Sequence, residues 1–346
     1  MADVDWTAPG AFEVAPGVHR IPLPLPNDGL RAVNVYALDG GPQGCVLVDS
    51  GWALALARER LEAALAQLGH DLGSVSRFLV THFHRDHYTL GVELRRTFGS
   101  RISLGAGEQP NLDEINDGTR TPDAALRRWG AEALVEPWRQ AYDAAARARD
   151  SAGYEPPDEW LHGGAEIEVG KRTLQVLPTP GHTRGHVVFL DTSPAYPTQP
   201  LLFAGDHVLP HITPSIGFEP AAAPDPLGDY LSSLRLMLAQ PDALLLPAHG
   251  LPAPGVHDRV RELLQHHEVR LEASLAAVTA GATTAYETAQ RLGWTRRERA
   301  FDSLDLFNQF LATGETAAHL EVLVRRGALS ASSAGGVTTY EAAARA

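Results

Sequence analysis

The sequence predicts an α/β fold whose strand ends converge on one polar site. Two observations carry that prediction. Short apolar runs recur along the chain, and four of them lead directly to His or Asp: 78–80 to His82, 174–177 to His182, 201–204 to Asp206 and 243–246 to His249. Segments with helical spacing alternate with the early runs; Leu54, Leu61, Leu65 and Leu68 fall on one helix face. Sites in sheet proteins commonly form where such strand ends and their loops meet.

Taken in order, residues 18–25 read as a strand whose prolines suit a sheet edge. Strands follow at 34–38 and 45–48, with the turn signal Gly40-Gly41-Pro42 between them. A helix over 54–68 precedes the strand at 78–80, and a helix over 90–98 and a strand at 101–104 come next. Residues 108–162 break this rhythm. They are polar and Ala/Arg-rich, with helical spacing in Leu134, Trp138 and Tyr142, and predict a helical insertion forming a lid over the site. From 257 the pattern is helical (257–278, a capped start at 283–287, 302–311 and 316–326), ending in a Ser/Gly-rich ribbon at 329–339. This divides the chain into a 1–256 domain and a small winged-helix-like module at 257–346. The clustered His266 and His267 are expected on a solvated helix face.

The chain has 346 residues, 44% of them hydrophobic, enough for a sizeable core. Its net charge of −13 gives no general attraction to nucleic acid or anionic membrane, so a small-molecule substrate is the expected partner. The same acidity favours a structural or dimerising role for the C-terminal module, with a homodimer as the expected assembly. The single cysteine, Cys45, sits in an apolar run and reads as a small buried hydrophobe. No intramolecular disulfide can form, and neither a signal peptide nor a membrane span is evident, so a cytoplasmic location is expected.

The densest chemistry lies at residues 81–87, Thr-His-Phe-His-Arg-Asp-His. His82, His84, Asp86 and His87 form the mixed nitrogen and oxygen set that zinc accepts. His82 and His84 are two apart and point the same way from an extended strand end. Asp86 and His87 are adjacent and need a turn to reach the same volume. Four ligands are one too many for a catalytic zinc with an open position, which suggests two metals side by side.

The ordered motifs H-x-H-x-D-H, then P-G-H-T-x-G-H at 180–186, then Gly205-Asp206, then Ala248-His249-Gly250 resemble the metallo-β-lactamase superfamily over about residues 12–255. The resemblance is to its glyoxalase II-like branch and, in the C-terminal appendage, to β-lactamase-like protein 2. It implies an αββα sandwich with two divalent metals at one edge, Zn2+ first, with Fe or Mn also compatible with His/Asp ligands. It implies that His82, His84 and His182 bind one metal, that Asp86, His87 and His249 bind the other, and that Asp206 bridges them. His186 is then a supporting residue, and Asp49 a hydrogen-bond partner of a ligand His or a turn cap. The expected nucleophile is a hydroxide held between the metals, with Asp86 as the catalytic residue that orients it and handles its proton. Arg85, Tyr88, His207 and His211 are candidate substrate contacts. Arg85 also reads as a structural ion pair and Tyr88 as packing.

The function expected is hydrolysis of a small thioester, ester or lactone. A phosphodiesterase or endoribonuclease using the same site is the alternative. A non-catalytic binding protein with a vestigial site is a third reading.

Overall fold

The computed structural model describes residues 5–26, 29–117, 123–141, 153–193 and 199–343. Seven strands form the first sheet in chain order: β1 (Phe12–Ala15), β2 (Val18–Pro24), β3 (Ala32–Asp39), β4 (Cys45–Val48), β5 (Val75–Val80), β6 (Arg101–Gly105) and β7 (Glu159–Leu161). The first three pairings are antiparallel and the last three parallel. A parallel neighbour needs a crossover, and α1 (Ala55–Gln67) and α2 (Arg85–Phe98) supply the first two. β1 pairs only with Val18–Arg20, so Pro22 and Pro24 lie beyond it. The second sheet has the order β12-β11-β10-β9-β8, from β8 (Glu166–Val169), β9 (Arg172–Pro178), β10 (Val187–Asp191), β11 (Leu201–Gly205) and β12 (Leu244–Pro247). Only β11–β12 is parallel, and α6 (Pro226–Leu238) makes that crossover.

Three apolar clusters define the layers. One lies between the sheets and joins Tyr36, Val46, Val48 and Leu79 to Val176, Phe189, Phe203 and Leu246. A second packs Leu61 and Leu65 of α1 and Leu90 and Leu94 of α2 on the outer face of the first sheet. The third covers the outer face of the second sheet. The architecture is therefore the αββα sandwich. Cys45 is buried on β4, and burial pushes its thiol up to about 12, so it behaves as a small hydrophobe.

The insertion is helical, with α3 (Gln109–Asp117), α4 (Asp123–Arg128) and α5 (Glu132–Ala141). It is shorter than expected because residues 159–161 already belong to β7; Tyr142 falls outside the described residues. After β12 come α7 (His257–Thr279), α8 (Ala285–Gln290), α9 (Leu306–Arg325) and an antiparallel hairpin, β13 (Leu329–Ala334) with β14 (Val337–Ala342). The two helices expected at 302–311 and 316–326 are one. Gly314, at the expected break, is helical, and a Cβ there would sit 3.0 Å from the Trp129 indole. The glycine makes room for an aromatic ring. The third cluster is continuous from Trp129 and Trp138 of the insertion through Tyr230 of α6 to Leu271, Phe310 and Leu320 of the C-terminal helices. No helix among the described residues is long and apolar enough to cross a membrane.

Candidate metal centre

The carboxyl ends of β4, β5, β11 and β12 lie at one edge of the sandwich and deliver Asp49, His82, Asp206 and His249. The turn needed by Asp86 and His87 is the first turn of α2, which starts five residues earlier than the sequence predicts; His84 is its N-cap. Asp86 there is also favoured by the helix N-terminus. His182 sits on the loop between β9 and β10. Gly205 permits the close approach: its φ is +50°, and a Cβ would lie 2.6 Å from Thr81 Oγ1 and 2.8 Å from His186 Nε2.

Three overlapping groups of ligand atoms result. His82, His84 and His182 form one, Asp86, His87 and His249 a second, and His82, His87 and Asp206 join the two. In the first, His84 Nδ1 lies 3.0 Å from both His82 Nε2 and His182 Nε2. The second nitrogen of each outer ring is committed. His182 Nδ1 donates to the Ser215 carbonyl at 2.7 Å. Thr81 Oγ1 spends its hydrogen on Asp49, so it accepts from His82 Nδ1 at 3.1 Å. Both Nε2 atoms therefore present lone pairs, and the one hydrogen His84 Nδ1 could carry cannot serve both. Burial, reinforced by the neighbouring imidazoles, holds His82 well below the usual histidine range and His84 at about 3. A cation satisfies all three nitrogens.

The second group follows the same logic. His87 Nδ1 donates to Asp49 Oδ2 at 2.9 Å and His249 Nδ1 to the Ala32 carbonyl at 2.7 Å. Their Nε2 atoms, together with Asp206 Oδ1, are buried without a hydrogen-bond partner. Asp86 Oδ2 lies 3.6 Å from His87 Nε2 and 3.7 Å from His249 Nε2. Burial pulls the His87 imidazolium down, but Asp49, Asp86 and Asp206 outweigh it and raise His87 to about 10. The group thus attracts positive charge. Asp206 divides its carboxylate between the two groups, with Oδ2 3.5 Å from His182 Nε2 and Oδ1 3.3 Å from His249 Nε2. The residues present fit two divalent cations with a shared carboxylate.

Asp49 and His186 act around this cluster. Asp49 has φ +61°, a left-handed conformation that Asp tolerates better than most residues. Its carboxylate accepts from Thr81 N, Thr81 Oγ1 and His87 Nδ1. Asp49→Asn places an NH2 group opposite one of these donors. A roughly 10–100-fold loss of metal affinity is expected, measured by chelator competition; an unchanged affinity would show that Asp49 is only a turn residue. His186 accepts from the Asp206 backbone N–H at 3.2 Å and pairs with Thr179 Oγ1 at 2.9 Å, so it positions Asp206 from outside the cluster.

The substrate candidates separate. Arg85 and His211 line the cavity; Arg85 stacks over Trp52 at 4.1 Å. Tyr88 and His207 do not face it. Tyr88 is fully buried, and its hydroxyl donates to the Glu155 carbonyl at 2.5 Å, so it cannot serve an oxyanion. Tyr88→Phe should leave kcat within about twofold and cost about 1 kcal/mol of stability; a large fall in kcat with unchanged Tm would return the hydroxyl to the site. His207 is buried between His186 and Tyr230, with ring centroids 6.1 and 5.4 Å away. His267, expected on a solvated face, is also fully buried, whereas His266 is exposed.

Sequence reasoning missed the residues that hold the ligand loops. Asn34 Nδ2 donates to the carbonyls of Pro247 and Gly250 at 2.9 and 2.7 Å, and Tyr36 Oη donates to Pro247 at 2.8 Å, clasping the His249 loop to the first sheet. Glu108 accepts from Thr183 Oγ1, beside His182, and from Asn111 Nδ2 at 2.7 Å. Nothing local marks Asn34 or Glu108, because the loops they hold are distant in sequence.

The cluster opens into a cavity of about 2760 Å³. Fold and cluster together place His and Asp groups that could hold metal ions beside a cavity at the sandwich edge. The family model of the metallo-beta-lactamase superfamily matches residues 28–249, and the chain belongs to that superfamily. It is 28% identical over 249 residues to the lactamase-like protein nscB of Neosartorya fischeri, covering 72% of this chain and 57% of the relative. The corresponding protein of Trichophyton rubrum is 34% identical over 272 residues, covering 78% and 66%. The chain thus spans under two thirds of these curated relatives. Among solved structures, a beta-lactamase domain protein from Burkholderia ambifaria superposes with a TM-score of 0.82 at 28% identity, covering 98% of this chain and 97% of that one. A metallo-beta-lactamase family protein from Thermus thermophilus gives 0.71 at 29%, covering 95% and 100%.

Proposed function

We propose that this chain is a dinuclear metallohydrolase of thioesters, esters or lactones with a large apolar part. His82, His84 and His182 would hold one metal, Asp86, His87 and His249 the other, and Asp206 both. Zn2+ suits the donors, as do Fe and Mn. Two such cations supply Lewis acidity and an activated water. The chain's own contribution is positional. Asp86, only partly buried and lining the cavity, orients the attacking water and accepts its proton. The observation that carries the substrate class is the aromatic lining beside the cluster: Phe83, Trp129, Trp138, Phe218, Phe307 and Phe310. Such walls bind an acyl chain or ring system rather than a sugar-phosphate backbone.

The phosphodiester reading has its own support in Arg259, Arg270 and Arg291 on the same cavity. The guanidiniums of these three donate to backbone carbonyls, and Glu298, Glu315 and Glu321 share the wall, so the aromatic lining decides for the carbonyl substrate. In our reading the insertion is a lid and the 257–346 segment a winged-helix-like module with a structural or dimerising role. The protein works in the cytoplasm as a homodimer. The test is a hydrolysis panel of acyl-CoAs, acyl-glutathiones, lactones, β-lactams and phosphodiesters, with β-lactams included because of the relatives' names. Carbonyl turnover lost in His84→Ala supports the proposal; turnover of phosphodiesters alone overturns it.

A further inference from the structure

The cavity carries a further group of ligand-type side chains besides those of the dinuclear cluster. His266 and His267 are consecutive on α7, and Glu315 faces them from α9; one ligand atom of each lies within 4.8 Å of the other two. His266 and Glu315 line the cavity.

The state of His267 is fixed by a relay behind it. The Glu315 backbone carbonyl can only accept, so His319 Nδ1, 2.7 Å away, carries a hydrogen. His319 Nε2 is then a lone pair, and His267 Nδ1 donates to it at 3.1 Å. His267 Nε2 is left as a lone pair on a fully buried ring, without a hydrogen-bond partner. Leaving such an acceptor unsatisfied costs about 1–3 kcal/mol. A ring whose far nitrogen is held by a hydrogen-bond relay is also the arrangement that orients metal-bound histidines.

The Glu315 carboxylate lacks a compensating ion pair among the described residues. Arg270, the basic side chain that influences it, donates to the Gly293 carbonyl at 2.8 Å and stacks over Trp294 at 4.4 Å. One carboxyl oxygen donor and two imidazoles therefore face one another, with no ion pair to the carboxyl among the described residues.

We propose that His266, His267 and Glu315 form a mononuclear zinc(II) site on the cavity wall, separate from the dinuclear cluster and independent of the hydrolase reading. Zinc bonds of about 2.0–2.2 Å need the ligand atoms drawn somewhat closer. The exposed His266 ring is free to rotate and close that gap, while His267 is fixed. Three protein ligands leave a fourth position open to the cavity for water or an anionic group of a bound molecule.

The test counts metal on the full chain. Protein stripped with a chelator is dialysed against Zn2+ and analysed for bound metal. Three zinc ions per chain are expected for the wild type and two for Glu315→Gln and for His266→Ala, each with unchanged circular dichroism. Equal stoichiometry in wild type and variants overturns the site, whatever the absolute count; a drop of one ion in both variants supports it. Should Glu315→Gln fail to fold, the exposed His266→Ala still decides. A His84→Ala variant that retains zinc, and loses one further ion when combined with His266→Ala, separates this site from the dinuclear one.

Discussion

Asp206→Asn is expected to lower turnover by roughly a thousandfold or more on whichever ester or thioester the panel identifies. The same change should remove one metal ion per chain relative to wild type. The reason lies in how the carboxylate is divided. Oδ2 faces His182 and Oδ1 faces His249, so each oxygen serves a different group. An amide keeps one oxygen acceptor and replaces the other with an NH2 group, which cannot ligate. One group loses a donor, and the two cations are no longer held by a common atom set. The fold should tolerate the change, since Asn matches Asp in shape and Asp206 lies beyond the end of β11. Elemental analysis, circular dichroism and kcat/KM on the same preparation separate these effects. Asp86→Ala and His84→Ala, each removing a donor from one group only, should abolish turnover equally. Undiminished turnover in any of the three would sink the dinuclear mechanism.

The chemistry of this site is legible in the sequence because its donors sit next to strand ends. His82, His84 and His87 follow the apolar run of β5, and Asp206 and His249 follow those of β11 and β12. Short-range pattern is enough to find them. The support around them is not legible in that way. Asn34 holds a loop more than two hundred residues away, and Glu108 reaches across to Thr183. Asp49 could be suspected from its place after a buried strand, and His186 from the motif that also carries His182. Elements were misread where one residue serves two purposes. Gly314 looks like a helix break and is a seat for Trp129. His267 follows the exposed His266 on α7 yet faces inward, because only the packing of α7 against α6 and α9 decides which side is core. Tyr88 follows the motif directly, but the rotation of α2 turns it from the cavity into the first sheet's outer core. The strand at 187–191 and the helix at 226–238 carry no site residue. A reading organised around donors passes over both.

Glu108 is expected to make the protein less stable as pH rises from about 4.5 to about 8. The side chain is fully buried. Burial pushes its carboxyl up to about 8, against the lowering effect of its hydrogen bonds from Thr183 and Asn111, and the nearby Glu219 adds to the rise. Below about 4.5 the group is protonated in both folded and unfolded chains, and above about 8 it is ionised in both. Between these values the folded chain keeps a proton that the unfolded chain has released. Folding then takes up a proton, so stability falls as pH rises through the window, by an amount on the order of a few kcal/mol. Glu108→Gln holds the position neutral at every pH. Its Tm relative to wild type should therefore climb between pH 4.5 and 8, and level off above. Glu219, also raised by burial and sharing Asn111, should leave a smaller residual slope in the variant. Parallel Tm curves for the two proteins would show that Glu108 is ionised in the fold at all these pH values. The consequence reaches the site, because Glu108 ties Thr183, and with it the His182 loop, to the start of the insertion. Ionisation should tighten that tie, because a carboxylate accepts more strongly from the Thr183 hydroxyl than an amide oxygen does, so Glu108→Gln should lose metal more readily at pH 9 than the wild type does. Chelator competition at pH 6 and pH 9 measures that difference, and equal release at pH 9 would confine Glu108 to a role in stability alone.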